Sequence, residues 1–231
     1  MTRPIVLLDL DDTILDFHKA EKLAITRTFR ELGLEPTEEL TSLYSEINAN
    51  QWKRLETGEI SREQVLVGRF DILFARLGLE LSSREAKKLY EHFLSQGHYF
   101  VPGAQELLEK LRGDYRLFIC SNGTAVVQAG RLKSAGISPC FEEIFISEEI
   151  GFNKPDGEFF RRCFERIQDF DRERCIIIGD SLSSDILGGI NAGIKTCWFN
   201  PKHKGRGEFP APDYELSELQ QAPALLKEIF C

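Results

Sequence analysis

Ile5-Val6-Leu7-Leu8-Asp9-Leu10-Asp11-Asp12-Thr13 joins a short aliphatic run to three carboxylates in four positions. A continuous apolar run of this length suits a strand buried on both faces, as in a parallel sheet. Such a strand ends in that much like charge only where something positive lies against it, because neighbouring carboxylates oppose one another's ionisation. Carboxylate oxygens are the ligands that hard divalent cations take. In an extended chain Asp9 and Asp11 project to the same side, two residues apart. A polar strand-to-helix turn, with Asp12 or Thr13 capping the next helix, accounts for the same residues. The rest of the chain has to decide between these readings.

The chain has 231 residues, 42% hydrophobic and 29% charged, which gives ample material for one large domain or two smaller ones. Its net charge of −8, from 29 basic and 37 acidic residues, argues against nucleic-acid polymers and anionic membrane surfaces as partners. A small phosphorylated ligand in a local basic pocket stays compatible with it. Cys120, Cys140, Cys163, Cys175, Cys197 and Cys231 are scattered and form no C-x-x-C pair, so they read as small core residues of a reducing compartment. Asp9 to Asp12 interrupt the one candidate signal segment, and no run reaches membrane-spanning length. The expectation is a soluble cytoplasmic protein, monomer or homodimer.

Outward from the opening stretch the pattern changes twice. Between His18 and Tyr99 apolar residues recur at helical spacing, as in Leu40, Leu43, Tyr44, Ile47 and Phe70, Leu73, Phe74, Leu77. Ser61 with Gln64 and Ser82 with Glu85 read as capping boxes, and Gly33, Gly58 and Gly78 as helix ends. From Pro102-Gly103 helices alternate with short apolar runs: Leu117–Cys120, Ile144–Ile146, Cys175–Asp180 and Thr196–Phe199. Alternation of this kind predicts an α/β fold, a Rossmann-like parallel sheet with helices on both faces. The strand at Ile5–Leu10 joins that sheet, which makes the helical block an insertion after it. The expected division is residues 1–15 and 100–231 as α/β core and 16–99 as an all-helical cap. Lys202–Pro212 reads as an exposed loop, and Ser217–Phe230 as a helix interrupted at Pro223.

In open α/β sheets ligands sit beyond the carboxyl ends of the strands. Those ends carry Asp9 and Asp11; Ser121-Asn122-Gly123; Gly151-Phe152-Asn153-Lys154-Pro155; and Gly179-Asp180-Ser181 with Asp185. Each residue type has a use in phosphoryl transfer. Carboxylates hold a divalent cation, an Asp can attack phosphorus, and a hydroxyl and a lysine can meet the non-bridging oxygens. A second carboxyl can protonate the leaving alcohol and then activate water, and Asp9 and Asp11 could divide these roles.

Asp9-Leu10-Asp11-Asp12-Thr13, Ser121-Asn122-Gly123, Lys154-Pro155 and Gly179-Asp180-Ser181 with Asp185 resemble, in order, the four motifs of the haloacid dehalogenase superfamily. The helical insertion lies where members with a cap between the first two motifs carry theirs. The resemblance implies Asp9 as nucleophile and Asp11 as general acid/base, with Ser121, Asn122 and Lys154 on the phosphate. It implies Mg2+ held by Asp9, the Asp11 backbone carbonyl and Asp180, with Asp185 behind them or bonded to Lys154. Dehalogenases usually lack a carboxylate at the position of Asp11, so the resemblance favours a phosphatase or phosphomutase over carbon–halogen cleavage. Gln51–Gly58 and Ile60…Arg69-Phe70 are similar to the cap of bacterial pyrimidine nucleoside monophosphate phosphatases. The expectation is therefore a phosphomonoester hydrolase acting through an aspartyl-phosphate on small phosphorylated metabolites such as nucleoside monophosphates. A phosphoglycolate or sugar-phosphate phosphatase, a β-phosphoglucomutase-like mutase and a non-catalytic binding module are the alternatives.

Other features point to less. Phe17, Tyr44, Trp52, Phe70 and Phe74 line either a base-binding pocket or the core of the helical block. The turn Glu56-Thr57-Gly58-Glu59 is either a loop dipping towards the active site or a solvated connection. The four histidines make no metal-ligand spacing.

Overall fold

The computed structural model describes residues 2–230. In chain order, β1 (Ile5–Leu8) leads to α1 (Phe17–Glu31), α2 (Glu38–Glu56), α3 (Arg62–Leu77) and α4 (Ser83–Leu94). Then come α5 (Ala104–Leu111), β2 (Arg116–Ser121), α6 (Ala125–Ala135), β3 (Glu143–Ile146), α7 (Ser147–Ile150) and α8 (Gly157–Arg166). The chain ends with β4 (Cys175–Gly179), α9 (Leu187–Ala192), β5 (Lys195–Phe199), β6 (Tyr214–Leu216) and α10 (Ala222–Phe230). It divides into two compact units: residues 1–16, 99–125 and 135–231, and residues 17–98 with 126–134.

The first unit carries a six-stranded sheet in the order β3-β2-β1-β4-β5-β6, with each neighbouring pair parallel. All four residues of β1 are buried, as a central strand covered on both faces requires. Its register places Leu8 opposite both Ile119 and Ile178. The next residues of the three strands, Asp9, Cys120-Ser121 and Gly179-Asp180, therefore emerge at one level of the sheet. Phe118 and Phe145 stack at 5.8 Å, and the core around them takes in Phe159, Phe160 and Cys163 of α8.

Three local expectations need correction. β1 stops at Leu8, and Asp12 takes φ +56°, so the acidic stretch is a turn and not an extended strand end. Neither Asp12 nor Thr13 caps a helix, because α1 begins only at Phe17. Pro223 interrupts nothing: it is the second residue of α10, where no intrahelical bond requires its missing N–H. The sheet also gains β6, whose Tyr-Glu-Leu is too short to register as a buried run.

The second unit is helical. Ser61 and Gln64 form the expected reciprocal capping box on α3, and Ser82 accepts from the Glu85 N–H at the start of α4. Gly78 closes α3 at φ +65°, a left-handed conformation that glycine adopts without a Cβ penalty. Tyr44 lies 5.3 Å from both Phe70 and Tyr90, and with Phe74 these rings are buried, which assigns them to the core of this unit. A polar group is buried beside them. Glu21 accepts from Ser45 Oγ at 2.8 Å and Asn48 Nδ2 at 2.6 Å, and Arg69 donates to Asn48 Oδ1 at 2.9 Å. Residues 126–134 of α6 pack here too: buried Arg131 donates to the Gly97 carbonyl at 3.1 Å. A Cβ on Gly130 would stand 2.7 Å from that of Ser95, so only glycine permits that approach.

Candidate active site

Lys154 organises the level at which β1, β2 and β4 end. It is 1% exposed, and its ammonium donates to Asp9 Oδ1 at 2.7 Å, Asp185 Oδ1 at 2.6 Å and the Cys120 carbonyl at 2.6 Å. An ammonium has three hydrogens, so these acceptors use them all. Asn122 fixes the lysine from outside: its Oδ1 accepts from the Lys154 N–H at 2.8 Å and its Nδ2 donates to the Lys154 carbonyl at 2.9 Å. The side chain of Asn122 thus holds the lysine in place, leaving its backbone as the part able to meet a phosphate. Ser121 is buried at the end of β2, and its Oγ accepts from the Gly123 N–H at 3.1 Å.

Asp180 is held through its backbone. The Thr13 hydroxyl accepts from its N–H at 3.1 Å, and the Trp198 indole donates to its carbonyl at 2.9 Å. Asp185 sits in a π-type turn, Leu182–Ile186, that leads into α9, and its Oδ2 accepts from the Ser181 N–H at 3.1 Å. Gly179 is required beside it, since a Cβ there would fall 2.2 Å from Asp185 Oδ2.

Oxygens of Asp9, Asp180 and Asp185 all lie within 4.8 Å of one another. Burial pushes the Asp9 carboxyl well above the usual range; Lys154 opposes that, and Asp185, Asp11 and Asp180 reinforce it. Asp180 is pushed up to about 8, by burial first and then by the charges of Asp185 and Asp12. Lys154 is raised, because Asp185 and Asp9 together outweigh its own burial. One lysine charge is too little for three ionised carboxylates, so full ionisation of the cluster calls for a further positive charge. An all-oxygen donor set of this spacing fits a hard divalent cation.

The structure therefore brings Asp9, Asp180, Asp185, Lys154, Ser121 and Asn122 to one place. The Asp11 side chain is half-buried on the turn and stays outside the carboxylate trio. Sequence reasoning missed three contributors: the hydroxyl of Thr13, the indole of Trp198 and the carbonyl of Cys120. Trp198 lies in an apolar run that reads only as core, and a carbonyl leaves no trace in side-chain pattern.

The chain belongs to the haloacid dehalogenase-like hydrolases, matching that family over residues 6–199. It is 38% identical to the pyrimidine 5'-nucleotidase PynA of Streptococcus pneumoniae, covering 93% of this chain and 91% of that one. It is 34% identical to the pyrimidine 5'-nucleotidase YjjG of Escherichia coli, over 96% of each chain. The crystal structure of the HAD-hydrolase YfnB from Bacillus subtilis, bound to magnesium, superposes with a TM-score of 0.92 at 38% identity, covering 98% of this chain and 99% of that one. Among the described residues no helix is long and apolar enough to cross a membrane.

Proposed function

We propose that this hydrolase is a magnesium-dependent phosphomonoesterase acting on pyrimidine nucleoside monophosphates. The observation that carries the reaction class is the buried Lys154 bridging Asp9 and Asp185, with Asp180 completing a three-carboxylate cluster. The similarity to PynA and YjjG over nearly the whole chain supports the substrate class.

Lys154 holds Asp9 Oδ1, which leaves Oδ2 to attack phosphorus in line with the ester oxygen. As the phosphorus–ester bond breaks, the Asp11 carboxyl gives its proton to the leaving alcohol, and Asp9 carries the phosphoryl group. Asp11, now a carboxylate, takes a proton from water as that water attacks phosphorus; inorganic phosphate leaves and Asp9 is regenerated. Ser121 Oγ and the backbone amide of Asn122 stabilise the non-bridging oxygens. Asp9, the Asp11 carbonyl and Asp180 would hold Mg2+, with Asp185 behind them on Lys154. When bound, the ion neutralises the repulsion between anionic nucleophile and anionic phosphate.

Asp9→Asn should abolish magnesium-dependent phosphate release from an aryl phosphate while preserving the circular-dichroism spectrum. Retained turnover would remove Asp9 as nucleophile. A release screen over nucleoside monophosphates, sugar phosphates and phosphoglycolate tests the substrate, and preference for phosphoglycolate would overturn the nucleotide reading alone.

A further inference from the structure

Ser121 Oγ and the Asn122 amide can serve a phosphate only if the turn that carries them keeps its place. That turn lies between β2 and α6, and three contacts tie it to one downstream segment, residues 146–154. At its start Ser121 pairs with Ile146 in the sheet. In its middle the Asn122 side chain bonds to both the N–H and the carbonyl of Lys154. At its end the Ala125 N–H, the first of α6, donates to Glu148 Oε2 at 2.7 Å.

The third contact supplies what α6 lacks. The first N–H groups of a helix have no intrahelical acceptor, and an acidic side chain placed there meets both them and the positive end of the helix dipole. α6 carries no acid in its first turn. Its acid comes instead from α7, 23 residues further along the chain. A bond from an N–H to an ionised carboxylate is shorter and stronger than a neutral one, as the 2.7 Å separation reflects.

Glu148 stands on firm support. Ser147 and Ile150 are buried, and β3 enters α7 with no intervening loop. Gly151 closes α7 at φ +86°, its N–H on the Ser147 carbonyl at 2.8 Å. Behind it, Arg162 of α8 donates to the Ile150 carbonyl at 2.9 Å and lies 4.6 Å from the centre of the Phe152 ring. The carboxylate is thus held from β3 on one side and α8 on the other, and Ala125 passes that placement to the turn. Glu148 itself is exposed, so its replacement leaves the core untouched.

We propose that Glu148 is a positioning residue for phosphate recognition. Its carboxylate fixes the start of α6, and with it the placement of Ser121 Oγ and the Asn122 N–H, without touching substrate. The role asks for an acceptor oxygen with that reach rather than for the charge. The assignment to phosphate rests on the phosphomonoesterase reading.

Three variants separate reach from charge. Glu148→Ala removes both, Glu148→Asp keeps the charge but falls one methylene short, and Glu148→Gln keeps the reach and loses the charge. In the Ala and Asp variants KM for an aryl phosphate should rise, and inhibition by inorganic phosphate weaken, about fivefold to tenfold, because small misplacements of binding groups are costly. The fall in kcat should be smaller, and Glu148→Gln should stay within about twofold of wild type throughout. The magnesium concentration for half-maximal activity at saturating substrate should hold in all three, since none touches the carboxylate cluster. Amide hydrogen exchange over residues 121–125 should quicken in the Ala and Asp variants alone.

Unchanged KM and phosphate inhibition in Glu148→Ala would overturn the proposal, as would a loss in Glu148→Gln equal to that in Glu148→Ala. A magnesium requirement rising in step would also overturn it, by marking a general loosening of the site. Should the protein release phosphate from no monoester, the phosphomonoesterase reading fails, and hydrogen exchange still decides whether Glu148 holds the turn.

Discussion

Lys154→Met removes the ammonium while nearly keeping the length of the side chain. The lysine is buried against two carboxylates and a carbonyl, at 2.6 to 2.7 Å. Breaking a buried pair by deleting one partner costs about 3–5 kcal/mol, because the other charge is left uncompensated. Two carboxylates are stranded here, so the upper end, about 5 kcal/mol, is expected near pH 8. The sign of the pH dependence follows from Asp9. Its folded-state pKa is already raised by burial, and Lys154 is the group pulling it back down. Without the lysine it rises further, so Asp9 takes up a proton at higher pH and the penalty shrinks as pH falls. The loss should accordingly be smaller at about pH 5.5 than at about pH 8. The assay is urea unfolding in EDTA on a Trp52→Phe background, which leaves Trp198 of β5 as the reporter of the α/β unit. A loss under about 1 kcal/mol, or one that does not change between the two pH values, would refute the reasoning.

Trp198→Phe and Thr13→Val each remove one bond to the Asp180 backbone, at 2.9 and 3.1 Å. Each should lower stability by about 1 kcal/mol and raise the magnesium concentration needed for half-maximal activity more than it lowers kcat; an unchanged magnesium titration would refute it. Gly179→Ala would force a methyl to within 2.2 Å of Asp185 Oδ2 and should cost about 1–3 kcal/mol along with most activity, which thermal melts and turnover would check. In the helical unit burial raises the Glu21 carboxyl above its ordinary 4.5. The folded state therefore favours its protonated form, so Glu21 lowers the stability of that unit as pH rises through 4.5 to the folded value. Glu21→Gln should remove this component, and parallel pH–stability curves for variant and wild type would contradict it. Magnesium at about 100 times its dissociation constant should raise unfolding stability by about 2.7 kcal/mol, an increment that Asp180→Asn should lose.

The sheet was legible because a strand buried on both faces has to be apolar throughout: Ile5–Leu8 and Cys175–Ile178 announce themselves and bring their acidic ends with them. β6 escaped notice because an edge strand of three residues needs no such run. The acidic residues announce themselves one by one at those strand ends, but the groups that hold them in place do not. Asn122 and Lys154 lie 32 residues apart, and only the folded loops show that the asparagine's side chain serves the lysine. Asp9 and Asp11 look equivalent in sequence, and it is the left-handed backbone at Asp12 that turns the chain after them. Residues 126–134 read as an ordinary crossover helix. Their place in the helical unit depends on the lone hydrogen of Gly130 and the buried guanidinium of Arg131, contacts with no periodic signature.

The strand order also bears on how the chain is made. β1 leaves the ribosome ahead of the other strands of its sheet, yet its partners are Arg116–Ile119 and Cys175–Ile178. At synthesis rates of about 5–20 residues per second, roughly 9 to 34 s separate Leu8 from Ile178. For that interval the most apolar strand of the sheet has no completed ladder. The segment emerging next, 17–98, supplies nearly all of the helical unit from contiguous sequence. Its early collapse would keep half of the nascent chain occupied with native contacts while β1 waits. Moving Ile5–Thr13 to the C-terminus by circular permutation would reverse that schedule. Refolding yield from denaturant should hold, while the yield from coupled translation changes.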